Sequence, residues 1–171
     1  PLDKLIITSS AGYVPSGEEE VELLTTNAAG EAGTTWKLGQ TSGSNRVIAR
    51  TYSMAESVEF VATGLADTAK TMEKVVDNLS GVAGDTLDTR LTVILYDKYG
   101  NRAQPGIDVT FEVIEGDGDL TDPVAVTNAS GEASTNIVMG YLYTQKRIQA
   151  TFEGYEGEDV VFTVTTTSGA V

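Results

Sequence analysis

One stretch of this chain repeats another at a fixed distance, and that repeat restricts the possible folds more than any other feature. Thr26-Asn27-Ala28-Ala29-Gly30-Glu31-Ala32 recurs 101 residues later as Thr127-Asn128-Ala129-Ser130-Gly131-Glu132-Ala133. The offset holds without a gap through Thr34/Thr135, Gly39/Gly140, Arg46/Arg147, Val47/Ile148 and Ala49/Ala150. One residue further displaced, Val58 and Phe60 match Val160 and Phe162. Upstream, Leu5, Ile7 and Gly12 are matched to Phe111, Val113 and Gly118, allowing a loop of different length. A period of about 100 residues is too long for a solenoid or a propeller blade. It is the size of an independent β-sandwich domain.

Within each unit the apolar residues alternate with polar ones, as strands with one wet face require. Leu91, Val93 and Leu95 fall on one side of their run, as do Ile107, Val109, Phe111 and Val113. The same period runs through Ala133, Thr135, Ile137 and Met139, then Ile148, Ala150 and Phe152, then Val160, Phe162 and Val164. The first unit echoes it with Ala32, Thr34, Trp36 and Leu38, then Val47 and Ala49, then Val58, Phe60 and Ala62. Asp97-Lys98-Tyr99-Gly100-Asn101 supplies Gly and Asn for positive φ in a hairpin, and the Asn-x-x-Gly turns at 27–30 and 128–131 repeat a second turn type. Residues 68–78 fit a helix about as well as an entry strand, since Met72, Val75, Val76 and Leu79 suit either period.

The units are unequal. The first has nothing corresponding to residues 68–106, so it lacks its entry strands and the counterpart of Leu91-Thr92-Val93-Ile94-Leu95. The expected division is the C-terminal part of a sandwich at 1–66 and a complete sandwich with a short tail at 67–171. Half a sandwich leaves an apolar face and open edges. A chain that begins part-way through a domain explains this, consistent with Pro1 rather than Met at its start. Completion by strands of another chain is the sharper alternative.

The ordered motifs resemble the bacterial immunoglobulin-like repeat of the invasin/intimin type (group 1). Those in the second unit are Leu91-Thr92-Val93-Ile94-Leu95-Tyr96-Asp97-Lys98-Tyr99-Gly100-Asn101, Pro105-Gly106-Ile107-Asp108-Val109-Thr110-Phe111, Gly116-Asp117-Gly118-Asp119-Leu120, the Thr127–Ala133 run above and Val160-Val161-Phe162-Thr163-Val164. The first unit has the matching later motifs, among them Trp36-Lys37-Leu38-Gly39 and Asn45-Arg46-Val47-Ile48-Ala49. The resemblance implies an all-β chain of tandem immunoglobulin-like β-sandwiches, the first incomplete at its N-terminus. It implies a non-catalytic structural or adhesion module, extracellular or at the cell surface, acting as a rigid spacer with short linkers near residues 64–68. Its partners would be other protein chains. The alternative is a subunit of an extracellular filament, pilus or virion appendage whose first domain another chain completes.

Composition narrows the chemistry. With no Cys and no His, the chain has no disulfides, no thiolate or imidazole zinc site and no Ser-His or Cys-His pair. Its formal charge of −14 argues against nucleic acid, for want of a basic stripe, and against docking on anionic lipid. No apolar run is long enough to span a membrane. No catalytic residues and no resident cofactor are expected.

The remaining candidates are few. Glycine-spaced carboxylates at Asp117, Asp119 and Asp122 could wrap a calcium ion, although a solvated inter-strand loop is the plainer reading. Glu18-Glu19-Glu20 with Glu22 reads as a charged edge that discourages aggregation. Tyr141 and Tyr143 flank a turn where the first unit has Gln40 and Ser42, which makes them candidates for a partner contact; Tyr155 and Phe152 could extend such a surface. Trp36 aligns with Ile137 and reads as core, and Val47 lies on the first unit's inner face; both would line an interface if strands from elsewhere complete that unit. Asn78-Leu79-Ser80 and Asn128-Ala129-Ser130 have the composition of a glycosylation sequon.

Overall fold

A computed structural model describes residues 4–9, 21–51 and 57–168, with side chains described for 24–51 and 57–168. Every regular element among them is a strand. They form two compact units, Pro1–Leu65 and Ala66–Val171. The first contains β1 (Lys4–Ser9), β2 (Val21–Thr25), β3 (Gly43–Thr51) and β4 (Ser57–Gly64). The second contains β5 (Ala69–Lys74), β6 (Leu79–Val82), β7 (Leu91–Asp97), β8 (Asp108–Glu115), β9 (Gly118–Leu120), β10 (Val124–Val126), β11 (Glu132–Thr135), β12 (Ile137–Met139), β13 (Gln145–Phe152) and β14 (Val160–Thr167).

Unit 2 is a two-layer sandwich. One sheet has the order β10-β8-β13-β14-β6 and the other β11-β7-β5, with a small β12-β9 pair beside them. Neighbours are antiparallel except β6, which runs parallel to β14. This is an immunoglobulin-like arrangement, with an entry segment that contributes to both sheets. Alternation supplies the core: Leu91, Val93 and Leu95 are fully buried from one layer, and Val109, Ile148, Phe162 and Val164 from the other. They belong to one cluster, in which Phe111 and Phe162 pack with ring centroids 6.4 Å apart. The ambiguous segment 68–78 resolves as strand β5. Ala69 and Met72 both face inward there because the register shifts between Ala69 and Thr71.

The described strands of unit 1 form a single sheet of order β2-β1-β3-β4. Strand for strand it matches β10-β8-β13-β14. The pairing also corrects one part of the sequence alignment. Ala49 stands opposite Ile7, whereas Ala150 stands opposite Phe111. Ile7 therefore corresponds to Phe111 and Leu5 to Val109, two residues from the sequence-based match. The loop between the matched segments differs in length, and only the ladder fixes the register.

The expected strand through Ala32, Thr34, Trp36 and Leu38 does not form; residues 31–39 carry no regular structure. Their counterparts in β11 pair with β7, and among the described residues unit 1 has no strand in that place. An alternating pattern becomes a strand only where a ladder receives its backbone groups.

The repeated turns match in detail. Asn27 Oδ1 accepts from the N–H groups of Ala29 (2.9 Å) and Glu31 (3.0 Å), and Asn128 Oδ1 does the same for Ser130 (2.8 Å) and Glu132 (3.1 Å). Gly30 and Gly131 close them at φ 82° and 71°, a conformation that glycine adopts without a Cβ penalty. In the Asp97–Asn101 turn only Gly100 takes positive φ. Asn101, expected to share that role, is instead buried against Asp97.

Candidate functional site

Among the described residues of unit 2, the β12–β13 connection presents the most exposed large apolar side chains. Tyr141, Leu142 and Tyr143 are 78%, 57% and 67% exposed. The loop beneath them is held by a charge pair. The side chain of Lys146 is completely buried, and its Nζ donates to Asp117 Oδ1 (2.6 Å) and to the carbonyls of Leu142 (2.6 Å) and Thr144 (3.4 Å). Asp117 Oδ2 accepts from the Leu142 N–H at 3.0 Å. The Lys146 ammonium is the main reason the Asp117 carboxyl titrates below its ordinary range, with the Leu142 N–H second. A side chain at Gly140 would run into the Asp117 carboxylate, so glycine there lets the clamp close. Burying an ammonium is costly unless it is paired and hydrogen-bonded, as Lys146 is.

Tyr141 and Tyr143 lie together on this exposed loop, and Lys146 was not among the candidates read from the sequence. The signal was present: Lys146 shares the inward parity of Ile148, Ala150 and Phe152, and a charge at an inward position calls for a partner. The proposed extension to Phe152 and Tyr155 is corrected. Those residues pack together (ring centroids 5.3 Å apart) at the far end of β13, with Phe152 buried.

The calcium candidates do not converge. Asp117 faces Lys146, Asp119 is exposed on β9, and Asp122 is 3.8 Å from Arg90 and accepts from the Thr121 hydroxyl at 3.0 Å. Among the described residues no three His, Cys, Asp or Glu side chains form a group that could hold a metal ion. Glu18, Glu19 and Glu20 lie outside the described residues.

At the opposite end of unit 2, Asp97 organises the entry of the chain. Its Oδ2 accepts from the Asp67 N–H (2.9 Å) and Asn101 Nδ2 (2.8 Å), and its Oδ1 from the N–H groups of Tyr99 (2.8 Å) and Asn101 (2.9 Å). Burial pushes its pKa up, but these four donors outweigh burial and hold the carboxyl below its ordinary range. Lys98 pairs with Asp67 at 3.1 Å.

In unit 1, Val47 is buried, while Phe60 directly opposite it is 55% exposed and Val58, opposite Ala49, is 60% exposed. Paired residues share a face, so a buried row adjoins an open apolar one. Trp36 is half-buried in the segment without strand, and its indole nitrogen is shielded with no acceptor among the described residues.

No protein-family model matches the chain, and no curated protein sequence does. Among solved structures, it is similar to invasin, described as a bacterial integrin-binding protein (21% identity, TM-score 0.48, covering 98% of this chain and 32% of that one). It is also similar to the adhesin InvE of Yersinia pseudotuberculosis (17%, TM-score 0.46, 95% and 49%) and to a β-glucuronidase of Parabacteroides merdae (18%, TM-score 0.44, 96% and 21%). The chain spans only about a fifth to a third of the first of these matched chains. Adhesins and hydrolases stand side by side in the comparison, and likeness at this level assigns no function. Among the described residues no helix is long and apolar enough to cross a membrane.

Proposed function

We propose that this chain is a non-catalytic, extracellular adhesion-type module that acts as a mechanical spacer in a surface protein. The supporting observation is how unit 2 joins its entering and leaving strands. β5 starts beside Asp97 at one end of the sandwich, and β14 finishes beside Val82 at the other. The entering strand β6 lies parallel to β14, pairing Leu79 with Val164 through to Val82 with Thr167, and the Ala83 N–H adds a bond to the Thr167 carbonyl at 3.1 Å. Tension between the two ends loads those bonds in shear, so they resist together rather than opening one at a time. The sequence motifs of the invasin/intimin-type repeat support the same reading, and the charge of −14 keeps neighbouring molecules apart.

Single-molecule stretching of the chain tests this. Unit 2 is expected to open in one high-force event that Ala83→Pro lowers, because proline removes the donor. Gradual low-force opening of unit 2 would end the spacer reading. A second reading, a filament or appendage subunit completed by strands of another chain, is favoured by one observation: the open Val58 and Phe60 face.

A further inference from the structure

The repeat supplies a natural control for the loop above Lys146. Val47 pairs with Phe60 as Ile148 pairs with Phe162, so Asn45 is the counterpart of Lys146 and Gly43 that of Thr144. Both Asn45 and Lys146 are buried. Asn45 Nδ2 donates to the Gly43 carbonyl at 3.1 Å, and Lys146 Nζ makes the matching bond to the Thr144 carbonyl at 3.4 Å. The ammonium also reaches Asp117, 29 residues away in sequence. The same corner of one sheet is therefore closed by a neutral amide in one copy and by a charge pair in the other. The fold does not call for the pair, and a buried pair gains little over an apolar replacement because desolvation offsets the attraction.

What the pair does contact is the loop. Lys146 Nζ donates to the Leu142 carbonyl at 2.6 Å and Asp117 Oδ2 accepts from the Leu142 N–H at 3.0 Å, so both backbone groups of the middle residue are fixed. The Tyr141 ring lies against Gly84, where a Cβ would come within 3.1 Å of it. Yet Tyr141, Leu142 and Tyr143 all turn most of their surface to water, which hydrophobic burial opposes and a loose loop of this composition would not keep. We propose that the Asp117–Lys146 pair is a positioning device: it holds the Tyr141–Tyr143 loop in one outward conformation and adds little to the stability of unit 2 beyond what an apolar pair would give. Unit 1, with Gln40, Thr41 and Ser42 at the matching place, has no large apolar side chains to hold outward there and carries the neutral Asn45 beneath them. The device goes beyond the spacer reading and does not depend on it.

Removing one partner and replacing both have different expected results. Asp117→Ala leaves the Lys146 ammonium buried without a carboxylate, and unit 2 should melt roughly 10 °C lower. Asp117→Ala combined with Lys146→Met replaces the pair by apolar groups, and unit 2 should then melt within about 3 °C of the parent, read from the Phe111 and Phe162 ring resonances. Loop order is read separately. In the double variant the amide order parameters of Tyr143 and Thr144 should fall from about 0.85 to below roughly 0.6, with loss of the nuclear Overhauser contact between the Tyr141 ring and Gly84. Neither amide donates to Asp117, so their change reports loop geometry rather than a deleted hydrogen bond. Asp117→Ala with Lys146→Asn, which copies Asn45, is the second variant in case methionine packs poorly. If neither double variant regains the parent melting temperature, the pair is a stabiliser; if one does and its loop stays ordered, the loop holds itself. Either result overturns the proposal, as does a loop already disordered in the parent.

Discussion

Phe60 and Phe162 occupy the same place in two copies of one sheet, yet one is 55% exposed and the other fully buried. Their ladder neighbours are alike, Val47 in one unit and Ile148 in the other. The difference is the second layer, which covers Phe162 and which no described strand of unit 1 supplies. A sheet with a correct inner face is only half of a hydrophobic core, and the burial that stabilises it comes from the elements laid across it.

The largest expected effect tests that contrast directly. Phe162→Ala empties a closed core and should destabilise unit 2 by about 4 kcal/mol. Phe60→Ala should change unit 1 by less than about 1 kcal/mol, because its ring already meets solvent. Denaturant titration followed by Trp36 emission for unit 1, and by exchange of the Leu95 and Ala150 amides for unit 2, separates the two. A large loss from Phe60→Ala would mean that its face is already covered in solution, and the contrast would collapse.

Next in size is Asp97, which lies in a part of unit 2 with no counterpart among the described residues of unit 1. Asp97→Ala leaves the Asp67, Tyr99 and Asn101 donors without their acceptor and should cost unit 2 about 3 kcal/mol, leaving the Trp36 transition in place. The same carboxylate predicts a pH dependence. Its folded pKa lies below the ordinary value of 3.8, so the unfolded chain binds the proton more readily. Its contribution is therefore complete above that value and is lost as pH falls through the folded pKa. Asp117 acts in the same direction through Lys146. Acid titration should weaken unit 2 below about pH 4, and Asp97→Asn should flatten the slope.

How much of this was legible in the sequence depended on whether the information was local. The alternation of Leu91, Val93 and Leu95 specified a buried strand, and the Asn-x-x-Gly turns specified their own hydrogen bonds. Tyr141 and Tyr143 were recognisable as a loop surface by contrast with Gln40 and Ser42. The alternation through Ala32, Thr34, Trp36 and Leu38 was just as regular and gave no strand, because a ladder partner is not a local property. Lys146 was overlooked because its charge suggested solvent while its parity pointed inward. The register of β1 depended on a loop length that no residue pattern encodes.

The smallest expected effect is also the most discriminating, because it compares one turn in two settings. Gly30→Ala and Gly131→Ala each force an L-residue into positive φ within the same hydrogen-bonded turn, at a cost of about 1 kcal/mol. A Cβ at Gly30 meets nothing within 4 Å, whereas at Gly131 it would lie 3.0 Å from the Ala103 nitrogen and 3.1 Å from its carbonyl oxygen. Ala103 is in a part of unit 2 with no counterpart among the described residues of unit 1, and its N–H bonds the Leu95 carbonyl at 2.9 Å. Gly131→Ala should therefore cost about 1 kcal/mol more than Gly30→Ala, through displacement of that bond. Equal costs would mean that the surroundings of the two turns are the same. That outcome would contradict the premise that unit 1 stands open where unit 2 is closed.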